Sequence, residues 1–283
     1  MKNIVVITGA ASGIGKEFLK QIQIKESNRI NEIWVLDYNQ EKLNELKNEY
    51  DIVKTFCIDL TNKEDIYKYK IKLEEEKPNI LILMNNAGFG IFDHSENINL
   101  DIKLNMVDLN IKAYITMIDY SLPYMKENSK ILNVASCAAF QPIPYINCYA
   151  STKAFVLSYS RALNQELKYR KIHVLAVTPF WTKTNFFDKA IIKDKKEVVI
   201  KYTVMYDAKN VVNKAIKDLY SNKDVSCYGF INNFQKILTK ILPHKLVMKI
   251  WMNDQKYNGT PNIRWKKIIK SNMLTIVYLF MIC

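Results

Sequence analysis

The chain has 283 residues, 49% of them hydrophobic and 24% charged, with a formal net charge of +13 at pH 7. That length and apolar content suit one large core, and no linker or internal repeat divides it, so a single domain over 1–258 is expected, followed by a tail, 259–283, with no assigned role. Three scattered histidines and five cysteines without a close pair give no metal site, and the basic charge comes without a helix-turn-helix, zinc or RNA-binding motif, so nucleic acid is not an expected partner.

Ile4, Val5, Val6 and Ile7 open a strand over 4–8 that is too short for a secretory apolar region. With an odd number of cysteines, reduced thiols in the cytoplasm are expected. Gly9, Gly13 and Gly15 follow, and Ile14, Phe18, Leu19 and Ile22 then recur at helical spacing. Glycines between a strand and a helix let the backbone approach a pyrophosphate seated on the helix N-terminus. Gly9, Ser12, Gly13, Ile14 and Gly15 are therefore candidate cofactor contacts. A second strand, 32–37, ends at Asp37, about twenty residues beyond the glycines, where a carboxylate accepts hydrogen bonds from ribose hydroxyls and repels a 2′-phosphate. Asp37 thus favours NAD over NADP. The alternative is that it merely caps the helix beginning near Gln40.

Strands over 52–58 and 79–84 come next, the latter running into Asn85, Asn86, Ala87 and Gly88 at the carboxyl end, where open parallel sheets bind ligands. A helical pattern covers 101–125 and contains Asn110. A strand over 129–135 delivers Ser136, whose hydroxyl can hydrogen-bond a carbonyl oxygen. Tyr149 and Lys153, four apart on the next helix, set a phenol beside an ammonium. A nearby cation favours the phenolate and brings a pKa of about 10 toward the working pH, each unit corresponding to about 1.4 kcal/mol. Strands over 172–177 and near Cys227 complete a strand–helix alternation that predicts a doubly wound parallel α/β sheet with helices on both faces.

The glycine turn, Asn86-Ala87-Gly88, Asn110, Ser136 and the Tyr149/Lys153 pair, in this order and spacing, resemble the short-chain dehydrogenase/reductase family in its shorter single-domain branch, over roughly 3–229. The resemblance implies a Rossmann-type fold and hydride transfer between NAD(H) and a secondary alcohol or ketone. Asn110, Ser136, Tyr149 and Lys153 would form the catalytic tetrad, Asn110 holding a water in a relay to Lys153 and Lys153 also binding the nicotinamide ribose. The resemblance implies cofactor contacts from Asp59, beside Leu60, to the adenine amino group, from Asn86, Ala87 and Gly88, and from Pro179 and Thr184 near the nicotinamide. Ser12 stands where NADP-preferring relatives often carry a basic residue, and Phe180 stands where the family has a glycine. Homodimers or homotetramers are implied.

The stretch 140–146, between Ser136 and Tyr149, is expected to line the substrate pocket. Phe180, Trp181, Phe186 and Phe187 suggest a lid over an apolar or aromatic small-molecule ketone or alcohol, or simply packing of the lid on the body. Basic amphipathic helices are expected over about 231–252. From Phe234 onward nine lysines or arginines face a single acid, Asp254. Such a segment can lie on an anionic membrane or cover the pocket, and the cover is the preferred reading. The apolar run 273–282 is about half of what spans a bilayer. Two other functions compete: an NAD-responsive binding protein with little turnover, which would not need all four tetrad residues, and a 3-oxoacyl thioester reductase, usually expected with NADPH.

Overall fold

The computed structural model describes residues 1–190, 198–202 and 204–255. The first half runs β1 (Asn3–Thr8), α1 (Gly13–Lys25), β2 (Glu32–Asp37), α2 (Gln40–Glu49), β3 (Val53–Cys57), α3 (Lys63–Glu76) and β4 (Asn79–Asn85). The second continues with α4 (Leu100–Val107), a π-helical turn (Asp108–Lys112), α5 (Ala113–Ser121), β5 (Lys130–Val134), α6 (Asn147–Glu166) and β6 (His173–Val177). After it come β7 (Thr182–Lys183), α7 (Phe187–Ala190), β8 (Tyr206–Asp207), α8 (Ala208–Tyr220), β9 (Val225–Ser226), α9 (Phe230–Ile241) and α10 (His244–Asp254). The expected tail, 259–283, and the run 273–282 lie outside the described residues.

Seven strands pair in the order β3-β2-β1-β4-β5-β6-β9, all parallel, which is the expected doubly wound sheet. Both faces are covered because the strands are apolar at nearly every position, and the two-residue pleat sends alternate side chains to opposite layers. In β1, Val5 and Ile7 join Phe18, Leu19 and Ile22 of α1 and Val212 and Ile216 of α8. Ile4 and Val6 face the other way, onto Tyr69 and Leu73 of α3 and Met117 and Ile118 of α5. Each such side chain removed from water contributes about 1.5–3 kcal/mol, so a one-residue slip of β1 would misplace both layers together.

Two features depart from the expectations, and one alternative falls away. The helix expected over 101–125 is interrupted by the π turn at Asp108–Lys112, which holds Asn110. Such turns recur where a functional site needs helical backbone out of register. β7 and β8 form a separate parallel pair, with Thr182 opposite Tyr206, outside the main sheet. Asp37 does not cap α2. That position is filled by Asn39, whose side chain accepts from the Lys42 N–H at 2.9 Å.

Candidate active site

The strand order reverses between β1 and β4, and the carboxyl ends there open into a cavity of about 1050 Å³. Its floor is the glycine turn. Gly9 (φ +64°) and Gly13 (φ +54°) adopt left-handed backbone, and a Cβ on Gly15 would lie 2.1 Å from the Gly9 carbonyl oxygen. Asn86 holds this turn from the next strand: its Nδ2 donates to the Thr8 and Gly9 carbonyls at 3.1 and 2.9 Å. Thr8 reciprocates, its hydroxyl accepting from the Asn86 and Ala87 N–H groups at 3.0 and 3.1 Å. Ser12, the N-cap of α1, makes no capping bond to that helix, and the first turn of α1 has no acid. A helix N-terminus left without a negative partner suits an anionic group such as a pyrophosphate, and the residues fit a dinucleotide.

Asp37 closes one end. Its carboxylate is 9% exposed, accepts from the Ala11 and Asn39 N–H groups at 3.2 and 3.1 Å, and lines the cavity. Asp59, also lining it, accepts from the Thr61 N–H and hydroxyl at 2.9 and 2.7 Å, with Leu60 beside it. At the other end, Pro179 accepts from the Cys137 N–H at 2.9 Å, and the Thr184 Cβ would lie 3.3 Å from a Cβ on Gly13, so β7's loop closes over the glycine turn. Phe180 stays outside the left-handed region, so a turn without glycine forms there, its carbonyl accepting from the Thr182 hydroxyl at 2.8 Å.

The four expected catalytic residues converge from three elements. Ser136 follows β5 and begins a short turn, accepting from the Ala138 N–H at 3.1 Å. Tyr149 and Lys153 come from the first turns of α6, and Asn110 from the π turn. Lys153 is 3% exposed and donates to the Val134 carbonyl at 2.8 Å. Its Nζ lies 5.9 Å from the Tyr149 ring centre and 5.4 Å from that of Tyr114. Asn110 is fully buried: its Nδ2 donates to the Phe89 carbonyl (2.9 Å) and Thr152 hydroxyl (3.0 Å), and its Oδ1 accepts from the Phe89 N–H (3.1 Å). Its side chain is therefore occupied in clamping the segment after β4.

In the cofactor-free site, burial opposes the effect expected of Lys153 on Tyr149. Tyr149 is half-buried, and the surface it keeps lines the cavity. That enclosure pushes its phenol well above the ordinary range, and the neighbouring Ser136 hydroxyl offsets only part of the rise. Burial alone lowers Lys153 to about 7. Desolvation disfavours both charged forms.

Tyr114, Thr152, Gly90 and Phe92, which the sequence had not singled out, join expected residues to complete the site. Tyr114 donates to the same Val134 carbonyl at 3.2 Å and sits one helical step from Asn110, an i,i+4 signal that the sequence did contain. Thr152 donates to the Tyr149 carbonyl at 2.8 Å. A Cβ on Gly90 would lie 2.7 Å from the Tyr149 ring, so glycine there lets the ring lie against backbone. Phe92 and Phe186 pack on Tyr149 at ring distances of 6.2 and 5.6 Å. Of the stretch 140–146, Gln141, Ile143 and Ile146 line the cavity, and α9 and α10 extend the wall with Ile231, Leu238, Val247 and Trp251. Among the described residues, no group of three or more His, Cys, Asp or Glu is arranged to hold a metal.

A family model described as short chain dehydrogenase matches residues 3–195. A very-long-chain 3-oxoacyl-CoA reductase of Macaca fascicularis is 29% identical over 279 residues, covering 94% of this chain and 83% of that protein. A protein of the same name from Anas platyrhynchos is 33% identical over 191 residues, 63% of this chain and 59% of its own length. Among solved structures, a short-chain dehydrogenase from Sphingobium yanoikuyae in complex with NADPH shares the fold with a TM-score of 0.69 at 23% identity, covering 93% of this chain and 99% of that one.

Proposed function

Because the chain belongs to the short-chain dehydrogenase/reductase family, we propose that it interconverts a secondary alcohol and a ketone with NAD(H), the substrate's apolar part lying along the aromatic and aliphatic wall of the cavity. The observation that carries this reading is the convergence of Ser136, Tyr149 and Lys153 at the base of one cavity that joins the glycine turn to an apolar wall. A bound nicotinamide cofactor would supply the hydride in reduction and take it up in oxidation. The Ser136 hydroxyl polarises the substrate oxygen and the Tyr149 phenol exchanges a proton with it. Lys153 would hold the ribose hydroxyls of the nicotinamide and, where protonated, would favour the phenolate of Tyr149. Asn110 acts by holding the Phe89 backbone beside the site. Asp37 supports NAD, because a carboxylate held by two backbone N–H groups at that end meets ribose hydroxyls well and a 2′-phosphate poorly.

A narrower reading, a ketone at C3 of a long acyl thioester, is favoured by the names of the relatives and by the apolar lining that continues along α9 and α10. Initial rates from NADH absorbance, with simple apolar ketones set against 3-oxoacyl thioesters of increasing chain length, test both. Turnover of neither class would sink the proposal. Turnover of simple ketones with no gain from the thioester would leave only the broader one.

A further inference from the structure

α9 has two apolar faces. One, carrying Ile231, Leu238 and Thr239, lines the cavity, and Asn232 anchors it by donating to the Thr178 carbonyl at 2.8 Å. The other points outward: Phe230, Phe234, Ile237 and Ile241 follow one another at four-, three- and four-residue steps and are 82%, 40%, 49% and 57% exposed. Phe230 and Phe234 stack, with rings 6.4 Å apart and 12° from parallel. Phe234 belongs to both surfaces, since it also lines the cavity, so the outer ridge is the rim of the cavity's apolar wall. Lys240 flanks the ridge and exposed Lys245 and Lys249 follow on α10.

We infer that this ridge and its lysines dock the protein on an anionic bilayer surface, with Phe230, Ile237 and Ile241 entering the headgroup region and the cavity's rim facing the lipid. Charge decides the occupant. Residues 234–283 carry nine cations and one acid, and the whole chain is +13, so neither a second copy nor the chain's own terminus complements the lysines. A bilayer accepts such an apolar ridge without a complementary shape. The docking does not depend on the reaction proposed above. Its use for loading an apolar substrate from the bilayer does rest on that reading.

The test uses the full chain and sedimentation with vesicles of phosphatidylcholine alone or mixed with phosphatidylserine. Wild type should bind the mixed vesicles at least tenfold more than the neutral ones and lose most of that binding in high salt, where surface attraction is screened. Phe230→Ser/Ile237→Ser/Ile241→Ser, which spares Phe234 and every cavity residue, should lower binding at least tenfold with thermal unfolding and NADH binding unchanged. Lys240→Gln/Lys245→Gln/Lys249→Gln should lose the anionic preference, and it decides the matter should the serine variant fold poorly. Wild type remaining in the supernatant, or both variants binding like wild type, would overturn the inference. So would a changed oligomeric state of the serine variant by sedimentation velocity, or capture by an acidic acyl-carrier protein without vesicle binding.

Discussion

The two halves of the cavity are built by different means. The nucleotide half is backbone brought close to backbone: Gly15 against the Gly9 carbonyl, Asn86 reaching back to Thr8 and Gly9, and a helix N-terminus without an acid. The substrate half is side chain against side chain. Phe92, Trp181, Phe186, Phe187 and Tyr202 form a chain of edge-on and tilted rings 5–6 Å apart, drawn from segments distant in sequence. The first kind of wall tolerates almost no change of residue, because a single methyl meets a carbonyl. The second is set by volume and contact, so its residues can change while the wall survives. Seating of a dinucleotide on the glycine turn is thus tied to the fold, and specificity for the substrate is free to vary.

The largest effect is expected where the halves meet. Tyr149→Phe removes the exchangeable proton and leaves the ring packed on Phe92 and Phe186, so turnover should fall by about 10²–10⁴ with NADH affinity nearly unchanged. Stopped-flow turnover and calorimetric titration check this, and retained turnover would detach the chemistry from the junction.

Lys153→Met at the same junction should act on stability. In the protein without cofactor, Lys153 is held at about 7 against an unfolded value of 10.5, so the unfolded chain binds more protons between those pH values. Wild-type stability should therefore rise as pH climbs from 7 toward 10.5, because the cost of burying the cation is relieved. The methionine variant should gain most at neutral pH and below, on the order of a few kcal/mol, less what the lost bond to Val134 contributes, and the gain should shrink toward pH 10.5. Denaturant unfolding at several pH values measures the slope. A gain independent of pH would mean that Lys153 stays charged in the cofactor-free site.

In the nucleotide half alone, Asp37→Ser removes the like-charge clash and leaves Lys42 lining that end to meet a 2′-phosphate. The NADP:NAD affinity ratio should rise at least tenfold, about 1.4 kcal/mol. Titration of wild type with both cofactors is the prior check, since tighter binding of NADP than NAD would remove the basis for the substitution.

In the substrate half, Trp181→Ala opens the ring chain and should raise the Michaelis constant for apolar ketones by roughly tenfold, consistent with about 0.5–1.5 kcal/mol per aromatic contact. NADH affinity should stay within a factor of two. An equal loss in both would show that the halves are mechanically coupled through the loop after β7, where Thr184 closes on Gly13.

The sequence by itself determined the sheet and the nucleotide half. Apolar strands at regular intervals, the glycines between β1 and α1, the position of Asp37 and the four-residue step from Tyr149 to Lys153 are local patterns, and local periodicity is set by neighbours in the chain. Strand ends moved by only one or two residues, as at 52–58 against Val53–Cys57. Tertiary structure alone decided the charge balance of the catalytic pair, because desolvation depends on everything packed around a group and leaves no mark on helical spacing. It also decided that Asn110 clamps Phe89, that Tyr114 shares the Val134 carbonyl with Lys153, and that β7 pairs with β8, since each contact joins residues whose relative placement depends on the fold. The two readings of the basic amphipathic segment looked exclusive in sequence. In three dimensions α9 lines the cavity with one apolar face and leaves the other exposed, because a helix has more than one side and only packing says which of them is used.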